Sequence, residues 1–300
     1  MQTPGANLLA LLDTNTPAIW VCVSVAKGSV PRERGAMMIV TAQQTWGTIG
    51  GGHLELNSIK LAREMLALNR SVATRRHFPL GPALGQCCGG AVEVVFMPAC
   101  EGDRAELLQL QTTEQHGGRF VVERALDTGA RLVLPLDFDP WSVWVFGAGH
   151  VGQAIVQILA TLPCQVQWID GRDAVFPSSL PTNVHVVETD HPAGKVRAIP
   201  AQADVLVLTH SHAIDLDICL ELIQRADLAY IGLIGSETKA ATFRKRFEQR
   251  GYVGAELARI NCPIGQRQLN SKHPGVIAVG VAADLIERRQ IRQQRVEKEM

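Results

Sequence analysis

The chain predicts an α/β protein: a mixed α+β domain over residues 1–138, followed over residues 139–300 by a Rossmann-like, doubly wound parallel sheet with a terminal helix. Three observations carry this. From Trp141 onward, short apolar runs alternate with helical segments, as a parallel sheet covered on both faces requires. Gly147-Ala148-Gly149-His150-Val151-Gly152 stands at the first strand-to-helix junction of that series, where a dinucleotide fingerprint belongs. Before Trp141 there is no such alternation, only strand-like runs broken by turn-forming clusters and covered by amphipathic stretches.

In the first domain a short helix is expected at 8–12, then a strand at 18–25 and, after the loop 27–35, another at 36–40. A further strand should end in Gly50-Gly51-Gly52. Ile59, Ala62, Met65 and Leu66 then recur at helical spacing and give a helix able to cover a small sheet. Residues 91–97 read as strand, 104–111 as helix, and 119–123 and 131–135 as strands, with Asp137-Phe138-Asp139-Pro140 as a turn at the domain boundary. The strands of the second domain are placed at 143–146, 166–169, 184–187, 204–208 and 230–234. Ser236 stands where it would cap the next helix. The last helix is expected from about Pro274 to Glu297, since proline suits a first turn and Val276, Val279, Ala283 and Ile286 share one face. Its Arg288, Arg289, Arg292 and Arg295 interleave with Glu287, Glu297 and Glu299, which reads as a solvated face rather than a nucleic-acid tail.

Composition narrows the function classes. Hydrophobic residues are 46% and charged residues 19%, so a packed core is feasible, and 29 basic against 29 acidic residues leave no global field to attract nucleic acid or an anionic membrane. No apolar run is long enough to span a bilayer and the start lacks the pattern of a secretory signal, so a cytoplasmic location is expected. The seven cysteines are odd in number and contain no CxxC, which points away from a disulfide framework and from structural zinc. Cys22 and Cys219 lie in apolar segments and read as buried hydrophobes.

Five clusters have chemical potential. In Gly85-Gln86-Cys87-Cys88-Gly89-Gly90, neighbouring thiols diverge too much to bond each other, and flanking glycines open the approach to a bulky ligand. Soft thiolates favour soft metals and sulfur-ligated centres. Gly50-Gly51-Gly52-His53-Leu54-Glu55 forms a glycine turn at a helix start, a natural anion pocket beside which His53 and Glu55 offer contacts to a polar ring. Ser29 and Arg32 in Gly28-Ser29-Val30-Pro31-Arg32 supply a hydroxyl and a guanidinium fork suited to phosphate or carboxylate. In the Rossmann segment Gly147, Gly149 and Gly152 permit the turn, the approach of phosphate and close helix packing, while Asp170 ends the next strand at the offset that suits a ribose hydroxyl. Thr209-His210-Ser211-His212, with Asp215 after it, ends the fourth strand of the sheet and should line the same crevice.

Taken in order, Gly28-Ser29-x-Pro31-Arg32-x-x-Gly35-Ala36-Met37, Gly50-Gly51-Gly52-His53-Leu54-Glu55, Gly85-Gln86-Cys87-Cys88-Gly89-Gly90 and Phe146-Gly147-Ala148-Gly149-His150-Val151-Gly152 resemble the XdhC family of xanthine dehydrogenase accessory proteins, related to the CoxI and CoxF proteins. The resemblance implies a chaperone rather than an enzyme: a protein that binds the molybdenum cofactor (molybdopterin), protects it during sulfuration by a cysteine desulfurase and inserts it into the molybdenum subunit of apo xanthine dehydrogenase. It also implies a homodimer. Under it, Cys87 and Cys88 meet the molybdenum end with Gln86 orienting, Gly52, His53 and Glu55 face the pterin, and Gly147, Gly149 and Gly152 hold phosphate, with His210 lining the site. Asp170 either meets the pterin, holds the ribose of a nucleotide-bearing cofactor or is a remnant of the fold. An NAD(P)-dependent oxidoreductase using the Rossmann domain is the alternative, and a redox sensor built on the thiol pair a third reading.

Overall fold

A computed structural model of the chain describes residues 3–80, 89–265 and 271–299. It divides into two compact units, Gln2–Pro140 and Trp141–Met300.

The first unit runs α1 (Pro4–Asp13), β1 (Ala18–Lys27), β2 (Met37–Val40), β3 (Thr45–Gly47), α2 (Gly52–Ala67), β4 (Thr74–Pro79), β5 (Ala91–Ala99), α3 (Arg104–His116), β6 (Gly118–Ala125) and β7 (Arg131–Phe138). Five strands form an antiparallel sheet in the order β3-β2-β1-β5-β4, and β6 and β7 form a separate hairpin. β1 is central, so its alternate residues serve two cores. Ile19, Val21 and Val23 pack with Leu54, Ala62 and Met65 of α2, while Trp20 and Cys22 pack with Leu8, Leu107 and Phe120 from α1, α3 and the hairpin. This double cover explains why the sequence of β1 is continuously apolar instead of alternating.

The strand expected to end in the Gly50 triplet stops at Gly47, because Gly47 packs against the Met37 carbonyl and the next residues turn away to start α2. The turn expected at Asp137 is shorter than proposed, since β7 continues through Phe138 in register with Gly118. β4 has no counterpart among the expected strands. It is an edge strand whose Arg75, Arg76 and His77 are exposed, and it exists because β5 pairs with it from Thr74↔Phe96 to Pro79↔Ala91.

The second unit runs β8 (Trp141–Phe146), α4 (His150–Leu159), β9 (Cys164–Asp170), β10 (Val184–Glu188), β11 (Asp204–Val207), α5 (His212–Leu222), β12 (Tyr230–Leu233), α6 (Glu237–Glu248), β13 (Ile260–Asn261) and α7 (Pro274–Glu299). Its six strands are all parallel, in the order β10-β9-β8-β11-β12-β13, the doubly wound arrangement with its switch between β8 and β11. Val143 and Val145 face α4 and α7, whereas Trp144 and Phe146 face α5 and α6. Ser236 accepts a bond from the Lys239 N–H at 3.2 Å and caps α6, as expected.

The basic end of α7 is only in part a solvated face: Arg295 is exposed, but three other arginines are engaged. Arg288 lies 4.6 Å from the Tyr230 ring and Arg289 5.5 Å from the Trp141 ring. Arg292 donates to buried Asp204 at 3.0 Å, beside the indole N–H of Trp141 at 2.7 Å. Burial raises the Asp204 carboxyl, with Arg292 and Trp141 opposing the shift. Arginine heads stacked on aromatic rings and paired with a buried acid fasten this helix to the sheet.

Glu114 of α3 closes the start of α1, its two oxygens accepting the Gly5 N–H at 3.2 and 3.1 Å. Burial raises its pKa to about 7, against the opposing bonds from Thr3 and Gly5. A raised acid contributes stability that is complete below its unfolded value, near 4.5, and is lost as pH rises through about 7. Glu114→Gln, which keeps an acceptor without the charge, should flatten that loss: in urea unfolding at pH 5 and pH 8, the wild type should lose about 1 kcal/mol more than the variant.

Candidate functional site

The loops at one edge of the five-stranded sheet collect three of the sequence clusters. β1 ends at Lys27 opposite Ala91, the first residue of β5, and Leu80 at the end of β4 donates to the Gly90 carbonyl at 2.8 Å. Gly90 is pressed against the Gly28 loop: a Cβ there would lie 2.4 Å from the carbonyl oxygens of both Lys27 and Ser29. On the other side of that loop, a Cβ at Gly50 would lie 2.6 Å from Pro31. The Gly28–Arg32 loop is thus wedged between the Gly50 turn and the segment that follows Cys87 and Cys88. Gln86, Cys87 and Cys88 themselves lie outside the described residues.

Contact is tight at Gly50 and Gly90, but among the described residues nothing lies within 4 Å of where a Cβ would stand on Gly51 or Gly89. No described residue closes the outer side of these two glycines. Ser29 and Arg32 are exposed there, Arg32 pairing with the neighbouring Glu33 at 3.9 Å. His53 is exposed on the first turn of α2, next to Gly52. Glu55 has turned inward. Its Oε2 accepts the Ile49 and Gly51 N–H groups at 3.1 Å each and the Thr48 hydroxyl, so the anion at this helix start is the chain's own carboxylate.

In the Rossmann unit the three glycines have the geometry their spacing predicts. Gly147 donates to the Ile169 carbonyl at 2.8 Å, and a Cβ on it would meet the Leu208 carbonyl at 2.2 Å. A Cβ at Gly152 would lie 2.1 Å from the Gly147 carbonyl, whereas Gly149 has open space. Asp170 ends β9 and accepts the Ala148 N–H at 2.6 Å, which ties it to this loop. Arg172, which the sequence reading overlooked, binds Asp170 through Nε at 3.0 Å and Nη2 at 2.8 Å. Burial would raise the Asp170 carboxyl, yet the bonds from Arg172 and Ala148 outweigh it and hold the pKa down to about 2.

His210 and His212 are exposed at the end of β11, and the buried partner in that cluster is Asp215. It accepts the Thr209 N–H at 2.9 Å, the Thr209 hydroxyl at 2.7 Å and Lys239 Nζ at 2.6 Å. Lys239 also donates to the Ile234 carbonyl at 2.8 Å and was likewise not singled out from the sequence. Its side chain is 9% exposed and that of Asp215 0%, which makes this a buried ion pair. The only sequence signal for Lys239 is its place one turn into the helix that Ser236 caps; for Arg172 it is the position two residues beyond Asp170.

Burial raises the thiols of Cys22 and Cys164 to about 12 and that of Cys219 upward as well, so none of the three is a ready thiolate. Among the described residues no group of three or more His, Cys, Asp or Glu is arranged to hold a metal, and no helix is long and apolar enough to cross a membrane.

Two results should test these assignments. Gly90→Ala forces a Cβ onto two carbonyl oxygens and should lower stability by about 1–3 kcal/mol in thermal denaturation, whereas Gly149→Ala, with open space, should change it by less than about 0.5 kcal/mol. Lys239→Met leaves the buried Asp215 uncompensated and should cost about 3–5 kcal/mol in chemical unfolding, with Lys239→Met/Asp215→Asn, which keeps an acceptor for Thr209, recovering much of it.

Comparison with known proteins agrees with this architecture. The family described as "XdhC and CoxI family" matches residues 11–78, and that described as "XdhC Rossmann domain" matches residues 143–285. A crystal structure titled as a xanthine dehydrogenase from Bacillus halodurans superposes with a TM-score of 0.77, covering 97% of each chain at 20% identity, and so shares the fold. The uncharacterized protein YqeB of Escherichia coli (strain K12) is 25% identical over 282 residues; the match takes in 92% of this chain but only 44% of that relative's length. With an antiparallel first unit, a parallel Rossmann unit and both family descriptions matched in that order, the chain belongs to the XdhC family.

Proposed function

We propose that the protein is an accessory factor for a molybdenum hydroxylase of the xanthine dehydrogenase type, and that it holds the molybdopterin cofactor before transfer. The observation that carries this reading is the wedge at the sheet edge. Gly90, the last residue of the thiol motif, packs against Gly28 and Ser29, and Gly50 packs against Pro31, which supports a shared site for the three motifs.

The donor set fits such a cofactor. Among the described residues Gly51 and Gly89 have no neighbours within 4 Å of a Cβ position, which suits a flat ring system. Exposed His53 offers a polar contact to a pterin, Glu55 holds the turn on which His53 stands, and exposed Ser29 and Arg32 offer donors to the cofactor's phosphate. Cys87 and Cys88 enter Gly89 directly in the chain and, with Gln86 orienting, supply soft ligands for the metal end. The cofactor supplies the redox-active molybdenum; this chain contributes binding, orientation and shelter from water. Gly147, Gly149, Gly152, Asp170 and His210 belong to the Rossmann unit and form its own ligand crevice. The transfer partners in this reading are a cysteine desulfurase and the apo dehydrogenase, with a second copy of the chain completing a dimer.

Protein purified from a cofactor-competent host should release molybdenum and oxidised pterin in near-equal amounts on denaturation. Cys87→Ala/Cys88→Ala should lose most of the molybdenum and should no longer restore activity to apo xanthine dehydrogenase. Release of NAD or NADP with no pterin, even after reconstitution with isolated cofactor, would sink the proposal, as would full activity of the double variant.

A further inference from the structure

In an open parallel sheet the ligand lies beyond the carboxyl ends of the strands at the topological switch, here between β8 and β11. The strand next to β8 is β9, and in dinucleotide-binding proteins the acidic residue at its tip accepts hydrogen bonds from the ribose hydroxyls. A carboxylate serves that purpose only while its oxygens remain available.

At Asp170 they are already engaged. Oδ1 accepts the Arg172 N–H at 3.0 Å and Arg172 Nε at 3.0 Å; Oδ2 accepts the Ala148 N–H at 2.6 Å and Arg172 Nη2 at 2.8 Å. The residue is 5% exposed. The pair is also fixed from behind. Thr189 donates to the Asp170 carbonyl at 3.1 Å, and a Cβ at Gly171 would lie 2.6 Å from the Thr189 carbonyl, so the segment between Asp170 and Arg172 is clamped to the end of β10. A ribose diol at this tip would have to displace a charge-assisted pair and leave a buried carboxylate partly unmatched.

What the tip of β9 offers instead is the guanidinium, whose side chain is 38% exposed and whose Nη1 takes no part in the pairing with Asp170. A guanidinium donates only; a neutral ribose hydroxyl can accept from it, but a phosphate supplies several charged acceptors and a bond about twice as strong. The guanidinium fork matches phosphate oxygens in particular. We propose that the Rossmann unit binds a ligand carrying a phosphomonoester and refuses dinucleotides whose ribose is unphosphorylated, with Arg172 as the selecting residue. The phosphomonoester could belong to a 2′-phosphorylated dinucleotide or to the pterin cofactor, and both present the same group to Arg172. This assignment concerns the second unit alone and is independent of the cysteine site.

The test is a fluorescence titration of the full chain, stripped of bound small molecules, with two matched pairs of probes: NADPH against NADH, and phosphorylated oxidised pterin against its dephosphorylated form. In at least one pair the phosphorylated member should bind about tenfold or more tighter, and the pair that shows it identifies the source. Arg172→Met should bring the two members of that pair within about twofold, and Arg172→Lys should keep part of the preference. Because Arg172→Met strands a buried carboxylate, Asp170→Asn/Arg172→Met, which retains an acceptor for Ala148, serves as the folded control and should show the same loss. NADH binding as tightly as NADPH with no pterin preference, failure of all four probes to bind, or a preference that survives in the double variant would overturn the assignment. The loss of molybdenum in Cys87→Ala/Cys88→Ala, which tests the cysteine site, is read separately from all of these outcomes.

Discussion

The turns at the strand ends of both units depend on one interaction, a side-chain carboxylate accepting backbone N–H groups that no strand or helix can satisfy. Glu55 does this for Ile49 and Gly51, Asp170 for Ala148 and Arg172, and Asp215 for Thr209. Glycine-rich turns expose amides, and an amide left unpaired away from water costs free energy comparable to a lost hydrogen bond. Each carboxylate relieves that cost and holds its loop in one conformation. Loops held this way spend less entropy when a ligand arrives, which is what a binding edge built from irregular backbone needs.

Sterics then decide which turns can lie side by side. Gly90 is surrounded by the carbonyls of Lys27 and Ser29, and Gly152 by that of Gly147, at distances that no side chain tolerates. The absence of a Cβ joins the start of β5 to the end of β1 in the first unit, and α4 to β8 in the second. Gly51, Gly89 and Gly149, by contrast, have no described residue within 4 Å of a Cβ position. The glycines in these motifs therefore divide into those that fasten backbone to backbone and those that leave room outside, and only the second kind is available to a ligand.

This division also accounts for what the sequence reveals. The parallel strands were legible because two-sided burial demands continuous apolar runs, and the three Rossmann glycines because their roles are local to one strand-turn-helix unit. β4 was not legible: Arg75, Arg76 and His77 carry no strand pattern, and only pairing with β5 makes them one. The arginines of α7 looked solvated because Tyr230, Trp141 and Asp204, on which they rest, lie distant in sequence. Arg172 and Lys239 escaped notice for the same reason, since a lone cation reveals nothing until the buried carboxylate it neutralises is seen. Glu55 was read as a group facing a ligand, and its inward turn follows from the needs of Ile49 and Gly51, which depend on how β3 leads into α2.

The three carboxylates differ in one respect that sorts the two units chemically. Asp170 and Asp215 are each matched by a cation, Arg172 or Lys239, so the turns they close are close to neutral. Among the described residues no lysine or arginine forms an ion pair with Glu55, so the Gly50 turn carries an unbalanced negative charge at a helix start. Two unit charges about 5 Å apart in a medium of effective dielectric near 40 repel by roughly 2 kcal/mol, enough to offset the typical benefit of a helix start to an anion. An anionic group directly on the Gly50 turn is therefore disfavoured. A ring that offers N–H donors is favoured there, and any phosphate in the first unit belongs beside Arg32, whose exposed pairing with Glu33 at 3.9 Å is weak and easily exchanged. In the proposed function the carboxylate that closes the Gly50 turn favours the donor edge of a heterocycle, and in the proposed assignment of the second unit the guanidinium at the tip of β9 favours phosphate.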